Sequence, residues 1–312
     1  MAATIRDVAR ASGVHVSTVS RSFSAPHLVN DTTRSRVMAA ADALGYRPNR
    51  AARALTTGRT LNLGLVVADI ANPFFPPLIK AAQAHARSGD YHVFVADADE
   101  DPRAEEELIR TLTKQVDGVV LCSPRLSNEV IVRLAADVPF VVVNREVDGL
   151  PSVLMDVARG ARLAVAHLRA LGHTRLAYLG GPSGSWTSRQ ARAAAGIPVI
   201  GPNQPTAQGG ADAAEAVVAA GVTGVLAYND LVALGLVEGL AALGVRVPED
   251  VSVVGVDDIL PGRLNRPKLT TVAMPTEAAG RTAVDLLLGA ADGPVTLPTA
   301  FIVRESTGEA PR

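Results

Sequence analysis

The sequence predicts a small basic helical domain of helix-turn-helix type, followed by an α/β body of two doubly wound parallel-sheet subdomains. Three observations predict it. The first is charge: residues 1–58 carry eight Arg, no Lys and three Asp, a net of +5, whereas the remainder carries 22 basic and 28 acidic residues, a net of −6. A basic head on an acidic body is the distribution of a polyanion-binding domain joined to a second module. The second is texture: from residue 61 short apolar runs alternate with amphipathic helical stretches, as in parallel sheets covered on both faces. The third is size: 312 residues with 48% hydrophobic and 20% charged content give a chain of two or three domains, at roughly 100–200 residues each, with a large core.

The head is read first. Ile5, Val8 and Ala9 recur at helical spacing, so a helix is expected over 5–11, broken by Ser12-Gly13-Val14. A second helix is expected over 15–23, with Val16, Val19 and Phe23 on one stripe. Pro26 marks 24–30 as a loop, and Asn30 can cap a third helix through Thr33, Val37, Ala40, Ala41 and Leu44, ended by Gly45. A short stretch over 48–55 follows, stopped by Thr56-Thr57-Gly58.

In the body, strands are expected at 61–68, 92–96, 118–122, 140–144, 153–155, 176–179, 198–200, 224–228 and 251–256. Helices fit near 74–88, 103–115, 127–136, 157–171, 209–220, 230–243 and 275–290. Nine such strands are many for one twisted sheet, which favours two stacked α/β subdomains.

Several function classes are excluded. No apolar run approaches the roughly 18 residues of a membrane span, and residues 1–7 lack the pattern of a signal peptide. Cys122 is the single cysteine, which rules out an intrachain disulfide and multi-cysteine zinc modules. The six His have no metal-ligand spacing. Asp97-Ala98-Asp99-Glu100-Asp101 imitates a calcium loop, but Pro102 and Leu108 stand where Gly and Glu are needed; these acids instead favour the positive end of the next helix. Gly180-Gly181-Pro182-Ser183-Gly184 lacks the dinucleotide spacing and its acidic partner. No nucleophile–base arrangement suggests catalysis. A cytoplasmic, non-enzymatic chain without membrane contact, metal or cofactor is expected.

Two helices joined by a tight glycine turn describe a helix-turn-helix. Its second helix would present Val16, Ser17, Ser20 and Arg21, and Arg can bridge guanine O6 and N7. Thr4-Ile5-Arg6-Asp7-Val8-Ala9, Gly13-Val14 and Ser17-Thr18-Val19-Ser20-Arg21 resemble the headpiece of the LacI/GalR family of bacterial regulators. Gly45-Tyr46-Arg47-Pro48-Asn49, Ala52-Arg53-Ala54-Leu55, Asn72-Pro73-Phe74-Phe75, Val116-Asp117-Gly118, Leu171-Gly172-His173, Asn229-Asp230, Val253–Asp258, Leu269-Thr270-Thr271-Val272 and Arg304-Glu305-Ser306-Thr307 continue the resemblance in family order, over about residues 4–308.

The resemblance implies a dimeric repressor of a near-palindromic operator, controlled by a small-molecule effector, with a periplasmic-binding-protein-like body. It implies a headpiece at 1–47, a hinge helix and linker at 48–59, and an effector-binding and dimerisation domain at 60–312. The N-subdomain would span about 60–157 plus 272–297, and the C-subdomain about 158–271 plus 298–308. The implied DNA-contacting set is Thr4, His15, Val16, Ser17, Thr18, Ser20, Arg21 and Thr33, with Asn49, Arg50, Ala52, Arg53 and Leu55 in the hinge. Leu55 matches an apolar wedge that kinks the duplex. His15 stands where the family usually has Ser, and is expected to cap the recognition helix less well. The implied effector set is Phe74, Phe75, Asn229, Asp230, Asp257 and one Arg, which the resemblance does not fix between Arg189 and Arg192. The 182–196 crossover is shorter than the family's usual length. An aromatic face beside a carboxylate at a strand end suits a sugar or nucleoside. A small-molecule receptor without DNA binding and an α/β enzyme are the competing classes; the basic head speaks against the first, the missing catalytic set against the second.

Overall fold

The computed structural model describes residues 3–47 and 58–311. The hinge residues Asn49, Arg50, Ala52, Arg53 and Leu55 lie outside the described residues. The chain divides into two compact units, residues 1–60 and 61–312.

The first unit holds α1 (Ile5–Ser12), α2 (Val16–Ser24), a 3-10 turn at Pro26–Leu28 and α3 (Asp31–Ala43). Each helix start is capped by a side chain, which satisfies backbone N–H groups that have no partner inside the helix. Thr4 and Asp7 form a reciprocal capping box on α1, and Asn30 Oδ1 accepts the Thr32 N–H at 2.9 Å on α3. Gly13 ends α1 in the left-handed region, φ 64°, a conformation that costs a glycine nothing. Val8, Ala9, Val19, Val37 and Ala41 form the buried core, with Phe23 and Tyr46 packed edge to face at 5.9 Å.

The second unit contains two six-stranded sheets. The first is built from β1 (Asn62–Val67), β2 (His92–Asp97), β3 (Val119–Cys122), β4 (Phe140–Val143), β5 (Ser152–Met155) and β11 (Val295–Leu297), in the order β11-β5-β4-β3-β1-β2. The second is built from β6 (Leu176–Leu179), β7 (Val199–Ile200), β8 (Gly224–Ala227), β9 (Ser252–Asp257), β10 (Thr270–Ala273) and β12 (Ala300–Ile302), in the order β12-β10-β9-β8-β6-β7. All pairings are parallel except β10 with β12. Central strands such as β3, β4 and β8 are buried along their whole length, which is why they read as continuous apolar runs.

The helices of this unit are α4 (Phe75–Ser88), α5 (Pro102–Leu112), α6 (Asn128–Leu134), α7 (Val157–Ala170), α8 (Trp186–Ala195), α9 (Ala207–Asp212), α10 (Ala214–Ala219), α11 (Asp230–Ala242), α12 (Leu260–Leu264) and α13 (Thr276–Leu287). The chain passes between the sheets three times: after β5, after β10 and between β11 and β12. The strand β10 runs unbroken across the 271/272 division read from the sequence and belongs wholly to the second sheet. Asp156 N–H donates to Leu297 O at 3.0 Å and the Thr299 hydroxyl to Asp156 O at 2.9 Å, tying two of the crossings together.

The expected helix over 209–220 is two shorter ones, α9 and α10. Gly210 on α9 and Gly235 and Gly239 on α11 let the two helices cross at backbone contact: a Cβ at Gly235 would fall on the Ala207 carbonyl, and one at Gly210 on the Val232 carbonyl.

Candidate nucleic-acid interface and ligand cleft

In the first unit α2 turns one face inward and one outward. Val19 and Ser22 are buried, whereas Ser17, Ser20 and Arg21 are exposed. Arg21 makes no ion pair among the described residues, so its guanidinium is free for an anion or a base edge. Val16 is half-buried against the headpiece core, and Thr18 and Thr33 are half-buried. Thr4 is exposed but its hydroxyl donates to Asp7 Oδ2 at 2.7 Å. His15 caps α2 by a long bond: its Nδ1 accepts the Ser17 N–H at 3.3 Å and lies 2.8 Å from Ser17 Oγ. A ring nitrogen with a lone pair does the work of a cap oxygen.

In the second unit a cleft opens at the carboxyl ends of the strands of both sheets, the place where open α/β sheets bind ligands. It encloses a cavity of about 40 Å³, room for a few water molecules at roughly 10–15 Å³ each. Phe74 and Phe75 line it from the start of α4, packed edge to face at 5.0 Å and 89°. Asn72 Oδ1 holds Phe74 N–H at 3.0 Å, which fixes the turn that aims both rings. Both Phe side chains also belong to the core, so each serves the wall and the interior at once.

Asp257 ends β9 and faces the cleft. It and Asp258 have φ of 121° and 61°, a region costly for any residue but glycine. The turn is over-determined by its neighbours. Asp230, wholly buried, accepts Ile259 N–H at 2.9 Å and the Thr271 hydroxyl at 2.6 Å. Asp258 is gripped by Arg304 at 2.5 Å and by Arg263 at 2.8 Å. No group among the described residues hydrogen-bonds the Asp257 carboxylate. Burial, and after it the nearby Asp230 charge, hold its carboxyl well above the usual carboxylate range. Burial likewise pushes Asp230 up to about 7. Asp230, expected at the effector, does not line the cleft; it is a support beneath it.

The opposite wall supplies residues the sequence reading missed. The Arg125 guanidinium donates to both Glu100 oxygens at 2.5 and 2.8 Å and to Ser123 O at 2.8 Å. Burial works against its charge, but Tyr228 and Glu100 outweigh it and hold Arg125 firmly cationic. Asn144, φ 60°, is buried at the end of β4. Among the described residues its Oδ1 has no hydrogen-bond partner, while its Nδ2 reaches Ser123 Oγ at 3.3 Å. Tyr228 follows β8 and donates to or accepts from Ser185 Oγ at 3.1 Å. Gly181 lies flat against the Tyr228 ring, where a Cβ would not fit; this is the use of the glycine-rich loop. Asn229 lines the cleft, but its side chain caps α11 at Val232 N–H, 2.8 Å, and donates to Pro205 O.

Neither Arg189 nor Arg192 reaches the cleft, which corrects the expectation for both. They stand three apart on α8 and share its exposed face, and Arg189 folds back on Ser183 O and Gly184 O. Thr187 and Ala191, four apart, occupy the cleft face. The shortened crossover is nonetheless a complete helix, capped by Ser185 and ended by Gly196 at φ 60°. Cys122 is buried, and burial pushes its thiol up to about 12, so it is no nucleophile at neutral pH.

The pattern described as bacterial regulatory proteins, lacI family, matches residues 4–49. The periplasmic binding protein-like domain matches residues 165–307. The HTH-type transcriptional regulator DegA of Bacillus subtilis (strain 168) is 32% identical over 333 residues, covering 98% of each chain. A lac repressor dimer bound to operator and the anti-inducer ONPF superposes with a TM-score of 0.87 at 28% identity, covering 99% of this chain and 100% of that one. A regulator from Enterococcus faecium with bound ribose superposes with a TM-score of 0.70 at 29% identity, covering 79% of this chain and 98% of that one.

Proposed function

The chain belongs to the lacI family of bacterial regulatory proteins, and from that premise we propose that it represses transcription from a near-palindromic operator as a dimer and answers to a small hydroxylated effector. It is a DNA-binding regulator and not an enzyme. Its place of action is the cytoplasm, where operator DNA lies. One observation carries the reading: α2 offers Ser17, Ser20 and Arg21 outward while its other face closes on its own core. In the proposal this helix enters the major groove. Residues 48–59 form the hinge, with Asn49, Ala52 and Leu55 in the minor groove and Arg50 and Arg53 on phosphate.

The effector, a sugar or nucleoside, sits in the cleft between the two sheets. The Phe74 ring offers it an apolar face, and Asp257 and Asn144 offer open acceptors for hydroxyl hydrogens. Effector binding displaces one subdomain against the other about the three crossings. That displacement is the coupling to the headpieces.

The test is a gel shift with a duplex recovered from a random pool, titrated with a panel of sugars and nucleosides. Phe74→Ala and Asp257→Ala should bind the duplex as the wild type does and lose the effector response. Unchanged dose–response curves in both variants would show the effector site to be elsewhere, and failure to select any duplex would overturn the DNA-binding reading.

A further inference from the structure

The backbone hydrogen bond at the start of α2 selects one tautomer of His15. The Ser17 backbone N–H lies 3.3 Å from His15 Nδ1, and an N–H can only donate. Nδ1 therefore carries a lone pair, and the single ring proton of the neutral imidazole sits on Nε2. Ser17 Oγ lies 2.8 Å from the same Nδ1. Since Nδ1 has nothing to donate, the hydroxyl is the donor. A serine hydroxyl has one hydrogen to donate, and here it is directed at the ring. The exposed Ser17 Oγ is left with lone pairs only. Among the described residues His15 forms no ion pair that would compete for the ring.

We infer that His15 is a specificity-determining residue of the DNA interface, which by accepting the hydrogen bond of the Ser17 hydroxyl makes Ser17 a reader of base amino groups. This rests on the reading above that α2 enters the major groove with Ser17 at a base edge. Every base pair presents both kinds of partner there: amino donors at adenine N6 or cytosine N4, and acceptors at purine N7, guanine O6 and thymine O4. A free serine hydroxyl pairs with either kind. Tied to His15, it gains nothing from acceptors or from phosphate oxygens, and bonds only to an amino group. His15 thus acts on the sequence preference without itself touching a base.

The experiment uses the full chain and its selected duplex. Ser17→Ala locates the base pair that Ser17 reads. At that pair, a base analogue lacking the amino group should lower wild-type affinity about three- to tenfold, the worth of one hydrogen bond. A 7-deaza purine, lacking the N7 acceptor, should leave it within about twofold. In Ser17→Ala the amino deletion should cost nothing further, which separates the contact from any weakening of the duplex. In His15→Ala the freed hydroxyl can turn, so the penalty for amino deletion should shrink to about twofold or less. His15→Asn, whose Oδ1 can accept the same two bonds, should restore the penalty and guards against misfolding of the alanine variant. A wild-type chain that responds to N7 deletion and not to amino deletion overturns the inference while leaving base reading by Ser17 intact. An unchanged penalty in His15→Ala also overturns it. A Ser17→Ala variant with no altered base pair removes the base-reading assignment itself, and the inference with it.

Discussion

Arg21 stands exposed on α2 with no acidic partner among the described residues, so its donors are uncommitted before DNA arrives. Arg21→Ala should lower operator affinity by about 1–3 kcal/mol and relax preference at one base pair. Competition against single-base operator variants measures this, and an unchanged ranking of variants would show that Arg21 meets only phosphate. Asp230 carries a different kind of consequence. Burial raises its folded-state value to about 7, above the ordinary unfolded carboxylate. The folded state therefore holds a proton that the unfolded state has released. The stability contributed by that proton is fully present below about pH 4 and is lost as pH rises through about 7, at most about 4 kcal/mol in all. Asp230→Asn mimics the protonated form, and the Thr271 hydroxyl can turn to accept from the new amide. Denaturant melts between about pH 5 and about pH 8 should show the wild type losing stability relative to the variant as pH rises. Parallel curves would mean that Asp230 does not titrate in this interval.

At the scale of elements, the crossing of α9 and α11 admits no side chain at its centre. Gly235→Ala would drive a methyl group into the Ala207 carbonyl, and overpacking of this kind costs about 1–3 kcal/mol or more. A urea midpoint lowered with unchanged slope checks it. The alternation of strands and helices was readable from the sequence because strands buried on both faces are apolar throughout and the covering helices are amphipathic. The unread elements have physical reasons too. β10 begins with two buried threonines whose hydroxyls are satisfied by Asp230 and Thr307, so composition hides its burial. β11 and β12 have three residues each, too few for a period. α12 contains Pro261 and Gly262, which argue for a turn. In the cleft, Phe74 and Asp257 were legible, but Ser123, Asn144 and Tyr228 were not, although each directly follows a strand and the rule that picked Asp257 would have picked them. Arg125 and Glu100 meet across 25 residues of sequence, and no local pattern marks such a pair.

At the scale of the whole second unit, the two sheets are joined by three crossings, two of them tied at Asp156. Three strands of chain close together make a hinge, which suits a cleft that changes shape on binding. The last two strands in the chain, β11 and β12, each supply an outer edge, one to either sheet. A chain ended after residue 294 should therefore loosen both subdomains together. Hydrogen exchange read at β5 and at β10 should accelerate in both; protection kept at either strand would show that its sheet is stable without the edge. The same arrangement sets a timetable for biosynthesis. A growing chain can stack most strands of each sheet early, yet neither sheet receives its final edge until residues 295–302 emerge from the ribosome. The two halves of the body, begun far apart in time, are finished within a few peptide bonds of each other, and until then both expose an open strand edge to whatever chain is nearby.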